Sequence, residues 1–147
     1  MITNKKIKLN ILSLFDGIGC SRLALNQCSN IEVKKYYYSE IDQNCINLTN
    51  KKCSSDIFLG PVEKINPKIL PKIDLLIGGS PCQDLSNAHK GDGLKGMRSS
   101  LFYRFINLKK FLKPKYFLLE NVKNKWSKVM DKEIGVKGVE LNSMFLS

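Results

Sequence analysis

Four places in this sequence carry residues suited to act on or hold a ligand, and each follows a short apolar run. Cys82 closes the turn Gly78-Gly79-Ser80-Pro81 directly after Ile73–Ile77. A Cys on a turn before a polar loop is a nucleophile when its pKa is lowered. The competing reading is an inert buried thiol, and the Ser-Pro-Cys turn weighs against it. Glu120, followed by Asn121, closes Lys115–Glu120. It can hydrogen-bond a planar amide-like edge such as that of a nucleobase, or simply cap the next helix. Asp16-Gly17-Ile18-Gly19 sets two glycines before a helix start, where backbone can approach a ligand closely. Glu40 lies 21 residues after Gly19, where a carboxylate can accept from ribose hydroxyls. Its alternative is a helix-start charge. The third glycine of a full dinucleotide fingerprint is replaced by Arg22. The Gly pair and Glu40 together point to an adenosine-type ligand.

These residues need elements to position them. Lys8–Phe15 reads as a buried strand, followed by a helix over Cys20–Cys28. Ile31–Ser39 is β-branched and aromatic, a second strand with Glu40 at its C-terminal end. Asp42 is placed to N-cap a helix running through Thr49. Ile57–Leu59 makes a short third strand, and Pro61, Pro67 and Pro71 leave room for only a short helix before Lys72. Ile73–Ile77 is the fourth strand. Gln83–Arg98 contains Gly91, Gly93 and Gly96 and reads as a polar, mobile loop. Leu101, Phe105, Leu108 and Leu112 share one helical face, which Pro114 ends. Lys115–Glu120 is a fifth strand. Val122, Trp126, Val129, Met130 and Ile134 are again helically spaced, with Trp126 in the core, and Val136–Leu146 is a sixth strand. Strands alternating with helices imply an α/β fold with a parallel sheet. In such sheets ligands bind beyond the carboxyl ends of the strands, where all four places fall.

The chain has 147 residues, enough for one domain with a real core, and 43% of them are hydrophobic. No apolar run reaches the roughly 20 residues of a membrane span, and the N-terminus lacks a secretory signal. The net charge is +11, with 24 Lys and Arg of which only Arg22, Arg98 and Arg104 are Arg. A Lys-rich excess fits an AT-rich genome and a phosphate-binding surface equally well. The odd count of five Cys and the missing signal argue against a disulfide framework, and the lack of a Cys-x-x-Cys pair with His89 as the lone His argues against a zinc site. Cys20, Cys28, Cys45 and Cys53 are expected to be small core residues.

The segments LFDGIGCSRLAL (14–25), YYYSEID (36–42), DLLIGGSPCQDLSNA (74–88), GMRSSLFYRF (96–105) and PKYFLLENVKN (114–124) together resemble the C5-cytosine DNA methyltransferases. The likeness is to the prokaryotic and phage restriction–modification type. It runs from about Asn10 to the last residue, and Pro-Cys-Gln and Glu-Asn-Val on successive strand ends are its most specific part. The resemblance implies a Rossmann-like methyltransferase sheet that binds S-adenosyl-L-methionine and acts on double-stranded DNA in the cytoplasm of a bacterial or phage-infected cell. It implies that Cys82 adds to C6 of a cytosine flipped out of the duplex, while Glu120 holds N3 and the exocyclic amine. Phe15, Asp16, Gly17 and Gly19 match the cofactor turn, Glu40 with Ile41 the ribose side, and Pro81 the cofactor-side wall. The loop 83–98 matches the segment that closes over DNA, with Ser86, Lys90, Lys95 and Arg98 as its DNA contacts.

Two features depart from the family pattern. An Asp that touches the adenine ring two residues after the third strand is replaced by Pro61, and Asp56 lies too early to substitute. The family's Gln-x-Arg-x-Arg motif, seventh strand, target recognition domain and closing helix do not follow Ser147. Residues 1–147 are therefore expected to be a partial catalytic domain, its sheet truncated before the last strand and its fifth strand left with an open edge. It is expected to work with a second polypeptide that carries the recognition domain, or to be a catalytically inactive cofactor- or DNA-binding remnant. Alone, it is expected to be unstable or to aggregate. A Rossmann oxidoreductase is the unrelated alternative, disfavoured by Arg22 and the Ser-Pro-Cys turn.

Overall fold

Five strands run parallel in the order β3-β2-β1-β4-β5. The computed structural model describes residues 5–79, 101–121 and 127–141. The strands are β1 (Ile7–Leu14), β2 (Ile31–Ser39), β3 (Ile57–Phe58), β4 (Leu75–Gly79) and β5 (Tyr116–Glu120). The helices are α1 (Cys20–Gln27), α2 (Gln43–Lys52), α3 (Leu101–Leu112) and α4 (Ser127–Ile134). The order reverses between β1 and β4, which opens a crevice at the carboxyl ends of those strands. This is a Rossmann-like α/β sheet.

Side chains of β1 alternate between two cores. Leu12 and Leu14 face Phe102, Phe105, Ile106 and Leu108 of α3 and Met130 of α4. Leu9 and Ile11 face Leu25 of α1 together with Tyr36 and Tyr38 of β2. The register of β1 against β2 shifts between Leu9 and Asn10, so β2 gains one residue at Lys34. That bulge keeps Tyr36 and Tyr38 on the α1 face further along the strand.

β4 starts two residues later than its apolar pattern and continues through both glycines. Asp74 ties the strand starts together. Its N–H donates to the Asn10 carbonyl at 2.8 Å, and its own carbonyl accepts from the Tyr116 N–H at 2.9 Å. Gly78 then lies under the Phe105 ring, where a Cβ would meet Cδ2 at 2.8 Å. A glycine that reads as a turn residue is thus a packing residue, chosen for the close approach of α3.

Asp42 caps α2 as its type and position imply, its Oδ1 accepting from the Asn44 N–H at 2.7 Å and the Cys45 N–H at 3.3 Å. Two expectations are corrected. Residues 136–141 form no strand, and 142–146 lie outside the described residues. A strand exists only where a neighbour accepts its ladder, and β4 is the one strand paired with β5 among the described residues. The four helix-associated cysteines are not core residues: Cys20 and Cys28 are exposed, and Cys45 and Cys53 half-buried. They sit on the outer faces and at the ends of short helices, and Leu25 and Ile46 supply the buried contacts there. Trp126 lies outside the described residues.

Candidate active site at the strand ends

The first turn leaves β1 under backbone constraint. Phe15 has φ +57°, in the left-handed region that non-glycine residues rarely adopt, and Gly17 and Gly19 follow at +58° and +77°. Two bonds from the end of β2 hold this conformation. The Asp16 N–H donates to the Ser39 carbonyl at 3.0 Å, and the Gly17 N–H donates to Glu40 Oε2 at 2.7 Å. Glu40 Oε1 accepts from the N–H groups of Ile41 (2.7 Å) and Asp42 (3.0 Å). Each carboxylate oxygen carries two lone pairs, so Oε2 retains one acceptor position. Glu40 therefore braces the turn and keeps an acceptor for a donor in the crevice.

Asp16 points behind the turn. Its Oδ1 accepts from the Tyr36 hydroxyl at 2.6 Å and the Ser21 hydroxyl at 3.2 Å, and the two hydroxyls are 2.7 Å apart. Its Oδ2 is buried without a hydrogen-bond partner, as is Thr49 Oγ1; the two flank Gly19. Burial, and then the Asp16 charge, hold the Tyr36 phenol far above its ordinary range.

Arg22, in place of a third glycine, has a structural partner. Its Nε lies 3.2 Å from Asp56 Oδ1, with the Asp56 side chain only 2% exposed. The guanidinium also stands over the Tyr36 ring, 5.6 Å from its centroid. Burial raises the Asp56 pKa, and the Arg22 bond and charge oppose that rise. Asp56 is thus committed to α1 through Arg22.

The crevice itself is a cleft of about 190 Å³. Phe15, Glu40 and Ile41 line it together with Gly79 at the end of β4. Ser39, Val62, Glu63 and Leu101 complete the lining, and none of these four stood out in the sequence. Val62 and Glu63 belong to the 3-10 turn Val62–Lys64 after Gly60-Pro61, the first of two such turns before β4 among the described residues. Arg104 of α3 pins that turn, donating to the carbonyls of Val62, Glu63 and Ile65 at 3.0, 3.3 and 2.6 Å. An Arg inside an amphipathic helix, three residues after its start, was the available signal. Asp16, Gly17 and Gly19 shape the turn and do not line the cleft.

Glu120 ends β5 directly opposite Gly79. A Cβ on Gly79 would stand 3.2 Å from Glu120 Oε2, so the carboxylate leans over the last residue of β4. The chain proceeds from that residue through Ser80 and Pro81 to Cys82. Pro81, Cys82, Ser86, Lys90, Lys95 and Arg98 lie outside the described residues, as does His89. No helix among the described residues is long and apolar enough to cross a membrane.

Comparison with known proteins bears on the same span. The family model for C-5 cytosine-specific DNA methylases matches residues 9–141. The chain is 40% identical over 118 residues to the orphan methyltransferase M.Rho11sI of Bacillus phage rho11s, covering 79% of this chain and 23% of that protein. It is 42% identical over 120 residues to the type II methyltransferase M1.ScrFI of Lactococcus lactis subsp. cremoris, covering 82% and 30%. With the type II methyltransferase M.FnuDI of Fusobacterium nucleatum the identity is 34% over 120 residues, covering 82% and 34%. The chain thus spans between 23% and 34% of the length of these relatives.

Proposed function

The chain belongs to the C-5 cytosine-specific DNA methylase family, and from that premise we propose that it supplies the cofactor cleft and the base-activating pair of a DNA (cytosine-5-)-methyltransferase. The observation that carries this reading is the convergence at the sheet crevice. The cleft lined by Phe15, Glu40 and Ile41 reaches Gly79, and Gly79 is the residue over which Glu120 leans. Cofactor side and base side share one strand end.

The residues present fit S-adenosyl-L-methionine. Glu40 Oε2 keeps an acceptor for a ribose hydroxyl, and Phe15, Ile41 and Val62 offer apolar walls to a flat ring. Phe15, held at φ +57°, lines the cleft. When bound, the cofactor supplies an electrophilic methyl group. Cytosine C5 is too weak a nucleophile to take that methyl unaided. The Cys82 thiolate forms a bond to C6, and the C5–C6 π pair shifts to give an enamine with density at C5. Glu120 accepts from the exocyclic amine and holds a proton at N3, neutralising the charge that addition places on the ring. After methylation a base removes the C5 proton, and the returning electron pair expels Cys82. The base must leave the stack first, which requires extrusion from duplex DNA. Lys90, Lys95 and Arg98 on the loop 83–98, together with Ser86, are proposed to hold the phosphates of that DNA.

A covalent trap tests this. Protein and S-adenosyl-L-methionine are mixed with DNA containing 5-fluorocytosine, where fluorine replaces the C5 proton and no base can abstract it, so the adduct cannot be resolved. The mixture is run with and without a polypeptide carrying the remaining family segments. The expected result in at least one arm is a denaturation-resistant adduct, absent from Cys82→Ala. No adduct in either arm, with S-adenosylhomocysteine still bound, would replace this reading with that of a non-catalytic binding remnant.

A further inference from the structure

The cleft has two acidic side chains, and they are in opposite situations. The Glu40 carboxylate is held by three backbone N–H groups at the end of β2. Glu63 lines the same cleft from the 3-10 turn; it is exposed, and its side chain has no hydrogen bond or ion pair among the described residues. Its backbone is nonetheless fixed, because Arg104 grips the carbonyls on both sides of it as well as its own. A carboxylate with a rigid stem and an open head, at the rim of a slot walled by Val62 and Leu101, is an acceptor waiting for a donor. Among the described residues the lining contains no Lys, Arg or His to compete for it.

We propose that Glu63 is the specificity residue of the cleft and recognises the exocyclic amine of an aminopurine. This deepens the reading of the cleft as an adenosyl site and rests on it. With the ribose at Glu40, the base lies along the apolar walls toward the 3-10 turn, and its amino edge meets Glu63. A carboxylate accepts and cannot donate. An adenine amine therefore gains a charge-assisted bond, whereas a 6-oxo purine presents an oxygen to an oxygen and is repelled. Recognition by a bond to a partly exposed charged group gives a preference of about tenfold, below that of a fully buried polar pair.

Equilibrium dialysis of the full chain with S-adenosylhomocysteine and with S-inosylhomocysteine reads this preference without any methyl transfer. The wild-type chain is expected to favour the adenosyl compound by about tenfold. Glu63→Gln, whose amide offers both a donor and an acceptor, should bring the two affinities to within about threefold. Glu63→Ala should bind both weakly and alike. A wild-type ratio preserved in both variants, or no preference in the wild type, overturns the role of Glu63 alone. Binding of neither compound by the wild type overturns the adenosyl reading of the cleft and this proposal with it.

Discussion

Replacing Tyr36 with Phe deletes one oxygen atom from the network behind the cofactor turn. Tyr36 is 1% exposed, and its hydroxyl donates to Asp16 Oδ1 at 2.6 Å. Asp16 Oδ2 already lacks a partner, so the variant leaves that carboxylate only the 3.2 Å bond from Ser21. A hydrogen bond to a charged group contributes about 1.5–3 kcal/mol, which places the loss near 2 kcal/mol. For a domain of this size that lowers Tm by about 6 °C. The same bond predicts a pH signature. The Tyr36 pKa is raised in the native state from an ordinary value of 10.0. Below pH 10 both states keep the phenolic proton and the stabilisation is complete. Above it the unfolded chain ionises while the native state does not, and stability falls by about 1.4 kcal/mol per pH unit until the native phenol titrates. Tyr36→Phe must lack this alkaline component, so its stability should fall less steeply above pH 10 than that of the wild type. Urea denaturation followed by far-UV circular dichroism from pH 7.5 to 11 measures it. A variant within about 0.5 kcal/mol of wild type at pH 7.5, or one with an equally steep alkaline fall, would refute the reasoning.

Three other outcomes follow from the geometry. Gly78→Ala drives a Cβ to 2.8 Å from Phe105, and urea midpoints should show a loss of about 1–3 kcal/mol as α3 is displaced. Arg22→Ala strands the buried Asp56 carboxylate and should cost about 3 kcal/mol by the same assay. The deficit should shrink toward acid pH, where Asp56 takes up a proton, and adding Asp56→Asn should recover part of it. Leu118 is 58% exposed on β5, so sedimentation velocity should show concentration-dependent association that Leu118→Lys suppresses. A monodisperse monomer at high concentration would contradict that last expectation.

The strand–helix order, the parallel sheet and the family could be read directly from residue patterns. β2 matched its pattern residue for residue because Ile31, Val33 and Tyr36–Tyr38 are β-branched or aromatic, with turn residues before the run. Asp42 was legible as an N-cap because capping is a local interaction between neighbours in the chain. Positions whose role depends on a distant element were not. Gly78 looked like a turn residue until the Phe105 ring was found above it. Val62, Glu63 and Leu101 reach the cleft only through the crossing of α3 over the 3-10 turn, which Arg104 secures. The cysteines were misread because small apolar residues are usually buried, whereas these short helices bury other positions. The first part of the expected sixth strand, residues 136–141, was misread because apolar residues alone do not make a strand without a partner to pair with.

The sequence by itself determined which chemical groups are available. Local spacing placed Cys82, Glu120, Glu40 and the Gly17–Gly19 turn at strand ends, since hydrophobic periodicity and turn chemistry are short-range properties. Tertiary structure decided how those groups are used. It brought Glu120 over Gly79 through the β4–β5 register, turned Asp16 into a buried anchor for Tyr36, gave Arg22 to Asp56, and put Glu63 and Glu40 on one cleft. Each of those pairings joins residues that are distant in the chain. Distances of that kind are fixed by packing and strand register, which no local pattern encodes.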